Sequence, residues 1–348
     1  MSLRRNKLQH CWSLPMRIFS LIMVGALLAS LSSATNGVTF KVATLSPDGS
    51  AWMKLLRSAG AEIGERSESR VAFKFYPGGI MGDDKTVLRK IRLGQLHGAV
   101  LTAGGLTQTY TDIQLYNLPM VFTSLAELDY VRARMDPLLL EGLEGKGYVS
   151  FGIAEVGFAY AMSKVAVETV GEARAQRVWT PSGDPGSARA VAAFGIKPIS
   201  LSIADVYSGL QTGLINGVAV PPVGAIALQW HTQLDHVLDV PLLYVYGLLA
   251  VGERQFSKLN EADQALVREV MGEAVRQVNA RSRKDHERAI IALKSQGLLW
   301  HRPSEQVVQE WQAYAERAIV KLVEEGFVTR PMYESLLRHL SDYRATLD

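Results

Sequence analysis

Short apolar runs alternate along the chain with amphipathic segments, and turn residues close each of them. Val38 to Ala43 has the pattern of a first strand, and Ser50 to Ser67 has that of an amphipathic helix. Val71 to Tyr76 predicts a second strand, which Pro77-Gly78-Gly79 ends. Strands that alternate with helices, without a repeat of fixed period, predict an α/β architecture with short crossovers.

The same alternation continues after the second strand. Asp83 and Asp84 begin a predicted helix through Leu93, where we interpret both carboxylates as helix caps, and Gly98 to Thr102 is a third strand. Further on, Leu238 to Val251 is apolar but contains a proline, an aspartate and two tyrosines, so it predicts buried strands rather than a membrane span.

A long helix is predicted from Asn260 to Gln296. Its central part, Arg281 to Arg288, is densely charged. A charge run of this kind is typical of a solvated helix face, so we attach no ligand to it.

Residues 195 to 221 combine strand, helix and turn signals. Pro198 to Ile203 alternates apolar and polar residues like a strand, and Asp205 is placed to cap a short helix. The apolar side of that helix is predicted to carry Val206, Leu210 and Leu214. Gly213 and Gly217 then end the helix before a strand from Val218 to Val220. By spacing alone, this is an α/β unit.

The first 34 residues have the pattern of a cleaved export signal. Four basic residues precede the apolar run from Ile18 to Leu31, and Ser32-Ser33-Ala34 supplies small residues for a signal peptidase. The run of about fourteen residues is short for a membrane span, which needs about 20. Cys11 lies before the run, which argues against a lipid-modified cysteine at the cleavage point. We therefore expect cleavage after Ala34 and a periplasmic protein without thiols.

Removal of this segment changes the charge of the chain. All four of its charged residues are basic, so the remainder carries 33 basic and 34 acidic residues, a net charge of -1. A role in nucleic-acid binding then has no compositional support. The remaining length, about 310 residues, is sufficient for two domains of ordinary size.

Motifs for catalysis are absent from the sequence. The stretch from Gly142 to Gly147 is not a Walker loop, and no HExxH, EF-hand or Gly-x-Ser-x-Gly motif occurs. The six histidines after residue 34 are scattered, which disfavours a metal site. We predict neither an enzyme nor a cofactor.

Three stretches carry a resemblance to a known family. They are GIKPISLSIADVYSGLQTGLINGVAVP, YPGGIMGDDKTVLRKIRLGQLHGAVLTAG and LPMVFTSLAEL. Together, behind a signal peptide, they resemble the solute-binding proteins of TRAP (tripartite ATP-independent periplasmic) transporters, the DctP family. The resemblance covers the chain from about Phe40 to about residue 330.

The resemblance implies an α/β, two-lobed periplasmic binding protein-like clamp with a ligand cleft between the lobes and long C-terminal helices. We place lobe one at 38–155 and 245–300, lobe two at 156–244, and the C-terminal helices, packing across the lobes, at 301–348. The implied function is capture of a small organic acid or related solute and its delivery to large and small TRAP membrane subunits. The alternatives are a binding protein that serves a sensor kinase or an ABC importer, and a periplasmic enzyme.

The cleft implied by the resemblance departs from the family pattern at several positions. Where the family has a lysine-x-arginine-x-proline strand whose arginine binds a carboxylate, this chain has Trp179, and Arg177 lies about 6–7 Å further back along the strand. Ala159, after Gly157-Phe158, replaces another arginine, and Val220 replaces an asparagine. These replacements predict a more apolar and less cationic cleft, suited to a monocarboxylate with an apolar body.

The candidate site residues share a predicted place at the cleft. They are Trp179, Thr102, Phe158, Ser182, Asp184, Val220, Trp230 and Ser46. Backbone N–H groups around Gly183 could hold an anion, and Trp230 is either a cleft wall or ordinary helix packing. Asp184 could serve a bridging calcium ion, but one carboxylate is little beside the 6–8 oxygen ligands that calcium prefers. Sulfonates, aromatic acids and neutral solutes also remain candidates for the ligand.

Overall fold

The computed structural model describes residues 37–347, and the predicted signal segment, residues 1–34, lies outside them. Ten strands join one continuous sheet in the order β2-β1-β3-β9-β4-β7-β5-β6, with β8 paired to both β4 and β10. The strands are β1 Val38–Thr44, β2 Val71–Tyr76, β3 Gly98–Thr102, β4 Tyr148–Ser163, β5 Arg177–Pro181, β6 Lys197–Leu201, β7 Gly217–Val220, β8 His236–Leu238, β9 Leu243–Gly252 and β10 Leu299–His301.

Strand β4 connects the two halves of the sheet. Its first part pairs antiparallel with β9, and its last residues pair antiparallel with β7. Strands β1, β2 and β3 are parallel to one another on one side, as are β5, β6 and β7 on the other. The register shifts between Ser150 and Ile153 and again between Glu155 and Gly157. Two bulges in one strand bend it, so the two halves of the sheet need not be coplanar.

Eleven helices are described between residues 37 and 347. They are α1 Ala51–Arg66, α2 Asp84–Arg92, α3 Leu125–Glu144, α4 Val170–Arg174, α5 Pro185–Ala193, α6 Val206–Thr212, α7 Pro222–Ala227, α8 Glu253–Phe256, α9 Glu261–Ser295, α10 Glu305–Glu324 and α11 Arg330–Arg344. Polar side chains fix several N-termini, as where Ser50 accepts from the N–H of Met53 and Asn260 from that of Asp263. The same range contains short 3₁₀ segments, among them Gly104–Leu106 and Thr111–Asn117.

The long helices cover the sheet and bury its apolar side chains. Helix α9 packs on β4 and on α1, and α11 packs on α3. Helix α10 packs on α5. From Val38 onward the chain forms one compact unit, and the division into lobes at residues 156 and 245 stays a prediction. None of the helices within residues 37–347 is long and apolar enough to cross a membrane.

Two details of residues 195 to 221 differ from the prediction. Leu214 is 51% exposed, because the helix has already ended at Gly213 in the left-handed conformation. Asp205 stands at the N-terminus of α6, but its carboxylate accepts from the hydroxyl of Ser202 and makes no capping bond to the helix. The strand and helix assignments otherwise agree with the structure, except that the strand ends at Leu201 and Ile203 begins a 3₁₀ segment, Ile203–Asp205.

The charge run in α9 is only in part a solvated face. Arg283 bonds to Asp129, with 2.8 Å from Nη1 to Oδ2, and to Glu155, with 3.1 Å from Nε to Oε1. Glu155 is 1% exposed and also accepts from the hydroxyl of Tyr244. The prediction of a solvated face was therefore wrong for Arg283, whose guanidinium neutralises a buried carboxylate of β4.

Candidate ligand site

A cavity of about 380 Å³ lies where the C-terminal ends of β3, β5 and β7 and the turns that follow them come together. This volume is in the range of small-molecule sites. Six of the eight predicted site residues line it: Thr102, Trp179, Ser182, Asp184, Val220 and Trp230. Thr102 ends β3 and Val220 ends β7, which agrees with the rule that ligands bind at the carboxyl ends of strands.

Two predicted site residues, Ser46 and Phe158, are not among the lining residues. The backbone of Ser46 is bonded locally, its N–H to Thr44 Oγ1 at 3.0 Å and its carbonyl to Gly78. The neighbouring Leu45 lines the cavity instead. The ring of Phe158 packs edge to face on Tyr244, with 5.7 Å between centroids, in the main apolar core. A register shift lies just before this residue, between Glu155 and Gly157.

Trp179 forms one wall of the cavity. Its indole N–H donates to the carbonyl oxygen of Leu201 at 3.0 Å. Its ring meets that of Trp230 edge to face, with 4.9 Å between centroids and an interplanar angle of 75°. Trp230 therefore both lines the cavity and packs in the core. Because the N–H of Trp179 already has an acceptor, this residue offers a ligand its apolar ring surface.

Arg177 does not stand in for the arginine that Trp179 replaces. Its Nη2 donates to the carbonyl of Gly213 at 2.8 Å and its Nε to that of Leu214 at 3.2 Å. These contacts lie at the C-terminal end of α6, where a cation is favourable. Arg177 is exposed and is absent from the cavity lining.

The two aspartates at the start of α2 have different roles. Asp83 is the N-cap and accepts from the N–H of Thr86 at 2.9 Å, as predicted. For Asp84 the capping interpretation was wrong: its Oδ2 accepts from Thr102, at 2.6 Å from the hydroxyl and 3.2 Å from the N–H. Asp84 is buried at the cavity wall. Sequence reasoning missed it because an aspartate at a helix start has a sufficient local explanation.

The buried position of Asp84 raises its pKa to about 6. Loss of hydration is the largest cause, and the hydrogen bonds from Thr102 oppose it. The charges of Asp184 and Asp83 raise this pKa further. The principal causes of this pKa within residues 37–347 include no basic side chain that would hold Asp84 ionised.

Asp184 stands opposite, at the N-terminus of α5. One oxygen accepts from the N–H of Ser187 at 3.0 Å and from Gln114 Nε2 at 3.3 Å, and the other accepts from the Ser187 hydroxyl. Asp184 and Asp84 approach the backbone of Gly104 and Gly105, respectively, so closely that a Cβ on either glycine would clash with the carboxylate. The Gly104-Gly105 turn therefore allows both carboxylates to approach one end of the cavity.

Three buried polar atoms at the cavity lack a hydrogen-bond partner within residues 37–347: Asn117 Oδ1, Gln176 Oε1 and Thr180 Oγ1. Hydrogen bonds from the NH₂ groups fix the orientations of the two side-chain amides. Asn117 Nδ2 donates to Gln114 Oε1 at 2.6 Å, and Gln176 Nε2 donates to the carbonyl of Glu172 at 3.1 Å. Buried polar atoms are normally satisfied. These three atoms belong to residues that line the cavity, but the atoms themselves have almost no accessible surface in the described conformation.

The charged side chains among the described lining residues are all acidic. Asp83, Asp84 and Asp184 contribute to the wall, and among residues 37–347 no lysine, arginine or histidine does. The same range contains no group of three or more histidine, cysteine, aspartate or glutamate residues that could hold a metal ion. Asp184, the residue considered for calcium, is engaged as a helix cap.

Comparison with known protein families shows which family contains this chain. Residues 42–325 match bacterial extracellular solute-binding proteins, family 7, also called DctP. The chain belongs to this family. Members of the DctP family are solute-binding proteins and not enzymes, which confirms both the resemblance and the non-enzymatic function predicted from the sequence.

Individual DctP-family relatives are distant in sequence but close in fold. A solute-binding protein of Verminephrobacter eiseniae is 23% identical over 68% of this chain and 71% of its own length. The C4-dicarboxylate-binding periplasmic protein DctP of Rhodobacter capsulatus is also 23% identical, over 68% and 72%. A TRAP periplasmic solute-binding protein of Roseobacter denitrificans, solved with β-D-glucuronate, superimposes with a TM-score of 0.79 at 15% identity, over 86% of this chain and 98% of that one. This structural match confirms the α/β fold with long C-terminal helices.

Proposed function

We propose that this chain is the periplasmic receptor of a TRAP transporter, which captures a small organic solute in the 380 Å³ cavity and delivers it to a large and a small membrane subunit. The observation that carries the proposal is the cavity itself, which lies at the carboxyl ends of three strands in a DctP-family fold. The relatives support it, since they are named for dicarboxylate binding or solved with glucuronate.

We infer that the cavity lies between two lobes, 38–155 with 245–300 on one side and 156–244 on the other, and that the helices of 301–348 pack across them. Contacts between these parts support the inference. The hydroxyl of Ser182 lies 3.5 Å from Asp83 Oδ2, and Asp184 accepts from Gln114. The described conformation would then be the closed state of a clamp whose opening admits the solute.

The ligand class predicted from the sequence is a monocarboxylate with an apolar body. The cavity walls support the prediction of an apolar body, because Trp179, Trp230 and Val220 present apolar surface there. Delivery to a sensor kinase or an ABC importer would use the same clamp. Genes for a large and a small membrane protein beside this one favour TRAP, and an ATPase gene would contradict it.

We also propose export with cleavage after Ala34, which leaves the periplasmic chain without its basic n-region and its single cysteine. The intact mass of the protein recovered from the periplasm tests this. A mass that begins at residue 35 supports the proposal, and a membrane-bound chain that retains Met1 contradicts it.

Native mass spectrometry of the purified mature protein tests the receptor function. We expect one carried-over solute per chain, recovered unchanged. Added at 100 times its dissociation constant, that solute should raise the free energy of unfolding by about 2.7 kcal/mol. Failure to bind any solute, or chemical conversion of the solute that is lost when a cavity residue is changed, would contradict the proposal.

A further inference from the structure

We propose that the solute carries an ammonium group on an apolar body, and that Asp84 and Asp184 hold this group. This inference rests on the receptor function proposed above and names its ligand class. It differs from the monocarboxylate predicted from the sequence in the charge of the polar group, while the apolar body stays the same.

The charge of the cavity favours a cation. Asp84 and Asp184 are buried on the two sides of the Gly104-Gly105 turn, and Asp83 lies at the same end. No basic side chain of the described residues reaches the lining. A carboxylate placed here would meet like charges in a poorly hydrated site, whereas an ammonium group would be attracted to them.

The unsatisfied hydrogen-bonding atoms favour a donor. Asn117 Oδ1 and Gln176 Oε1 can only accept, and Gln176 is 9% exposed. Thr180, which is 1% exposed, has a hydroxyl oxygen without a partner among residues 37–347. An ammonium group supplies up to three N–H donors and a carboxylate supplies none. A donor that reached any of these acceptors on binding would remove the penalty of leaving that buried atom unpaired.

Apolar walls of the cavity accept the apolar body. The indole rings of Trp179 and Trp230 meet there, and Val220 and Phe194 add aliphatic and aromatic surface. The single N–H of Trp179 donates to the carbonyl oxygen of Leu201, so the indole needs no polar ligand atom as an acceptor.

Matched ligand pairs test the charge directly. We would measure binding calorimetrically to the mature protein, freed of carried-over solute, for hexylamine against hexanoate and for 3-phenylpropylamine against 3-phenylpropanoate. The inference expects at least tenfold tighter binding of the amine within each pair. Equal or tighter binding of the carboxylates would overturn the inference and leave the receptor function intact.

If none of these probes binds, the chemical identity of the co-purifying solute provides the test. An amine identified by mass spectrometry would support the inference, and an acid or a neutral compound would overturn it. If no probe binds and no solute co-purifies, both the inference and the receptor function fail.

Proton release gives an independent readout at pH 6, close to the pKa of Asp84. The charged groups that face Asp84 are Asp83 of its own helix and Asp184 of the facing turn, and Lys85 is its chain neighbour, whose Cβ lies near Gly183. An ammonium group beside Asp84 stabilises the carboxylate, so amine binding should release up to about half a proton per ligand, measured in buffers of different ionisation enthalpy. Proton uptake on binding would overturn the inference.

A variant pair assigns the effect to Asp84. Asp84→Asn keeps an acceptor of the same shape but removes the charge. It should weaken amine binding at least tenfold and abolish proton release at pH 6. The matched control is Asp205→Asn, which changes an exposed carboxylate outside the lining and should leave both unchanged. Retention of amine affinity and proton release by a folded Asp84→Asn protein would overturn the inference.

Discussion

The indole N–H of Trp179 donates to the carbonyl oxygen of Leu201, 3.0 Å away on the neighbouring strand β6. This bond fixes the ring at the cavity wall, where it also meets Trp230 edge to face. The residue therefore contributes to the stability of the fold and to the shape of the ligand site. Variants that separate the ring from the N–H group can distinguish these two contributions.

Trp179→Ala should lower both stability and affinity. Removing a buried indole costs about 3–5 kcal/mol in the free energy of unfolding, and loss of an anchoring aromatic ring costs about 2–4 kcal/mol in solute affinity. Trp179→Phe keeps an aromatic ring but removes this hydrogen bond, while the Leu201 carbonyl still accepts from the N–H of Ser182 at 2.9 Å. It should therefore cost about 0.5–1.5 kcal/mol in stability with a smaller loss of affinity. Denaturant unfolding and calorimetry measure the two effects. Unchanged affinity in a folded Trp179→Ala protein would show that the ligand does not contact this wall.

Asp84 should make the stability of the protein depend on pH between about 4 and 6. Its folded pKa of about 6 lies above the ordinary value near 4, so the folded protein binds the proton more tightly than the unfolded chain does. The resulting stability is fully present below pH 4 and is lost as the pH rises through 6. In the ligand-free protein, Asp84→Asn should therefore increase stability by about 1–3 kcal/mol at pH 7.5 and by much less at pH 4.

Urea unfolding at both pH values checks this dependence, with Asp205→Asn as the control. Asp205 is exposed, so its substitution should have nearly the same small effect at both pH values. If Asp84→Asn changes the free energy of unfolding by the same amount at pH 7.5 as at pH 4, the raised pKa of Asp84 is contradicted.

Much of the fold could be predicted from the sequence, because local signals coincide there with the tertiary structure. Strands Val71–Tyr76 and Gly98–Thr102 were predicted to the residue, since turn chemistry marks their ends. Leu214 was misplaced because helical periodicity was continued past Gly213, where the helix ends.

The candidate site was predictable in part. The place of Trp179 at the cavity came from the resemblance to a known family. The role of Asp84 could not be found in this way, because its burial depends on Thr102 and on the Gly104-Gly105 turn, which are distant in the chain or fixed by tertiary contacts. Phe158, which the resemblance also placed at the cleft, is not among the lining residues, because its ring packs in the main apolar core.

Gly104→Ala should destabilise the described conformation. Its new methyl group would overlap the carboxylate of Asp184, which is itself held by Ser187 and Gln114. We expect a loss of about 1–3 kcal/mol, typical of overpacking, together with weaker solute binding.

Gly145→Ala is the matched control for Gly104→Ala. Gly145 has a right-handed helical conformation, and a methyl group added there would have no neighbouring heavy atom closer than 3.6 Å. This substitution should be neutral or stabilising by up to about 1 kcal/mol. Equal stability of the two variants in thermal unfolding would contradict the close approach of Asp184 to Gly104.

Arg283→Met should destabilise the protein strongly, because it removes a cation from a buried carboxylate. Glu155 is 1% exposed and receives hydrogen bonds on both oxygens from Arg283, while its other cation, Arg132, lies 3.7 Å away. Loss of one partner of a buried ion pair costs about 3–5 kcal/mol when no other cation remains, and with Arg132 in place we expect about 2–4 kcal/mol.

Arg281→Met, two residues earlier on α9, is the control for that substitution. Arg281 pairs with Asp285 on the same helix at 2.9 Å, and its side chain is 54% exposed. A surface pair of this kind contributes under about 1 kcal/mol. Urea unfolding of the two variants should therefore differ by at least about 1 kcal/mol, with Arg283→Met the less stable. If the second substitution Glu155→Gln restores the stability of the Arg283→Met protein, the unpaired carboxylate is the cause of the loss. If both arginine substitutions have an equally small effect, Arg283 belongs to the solvated face after all.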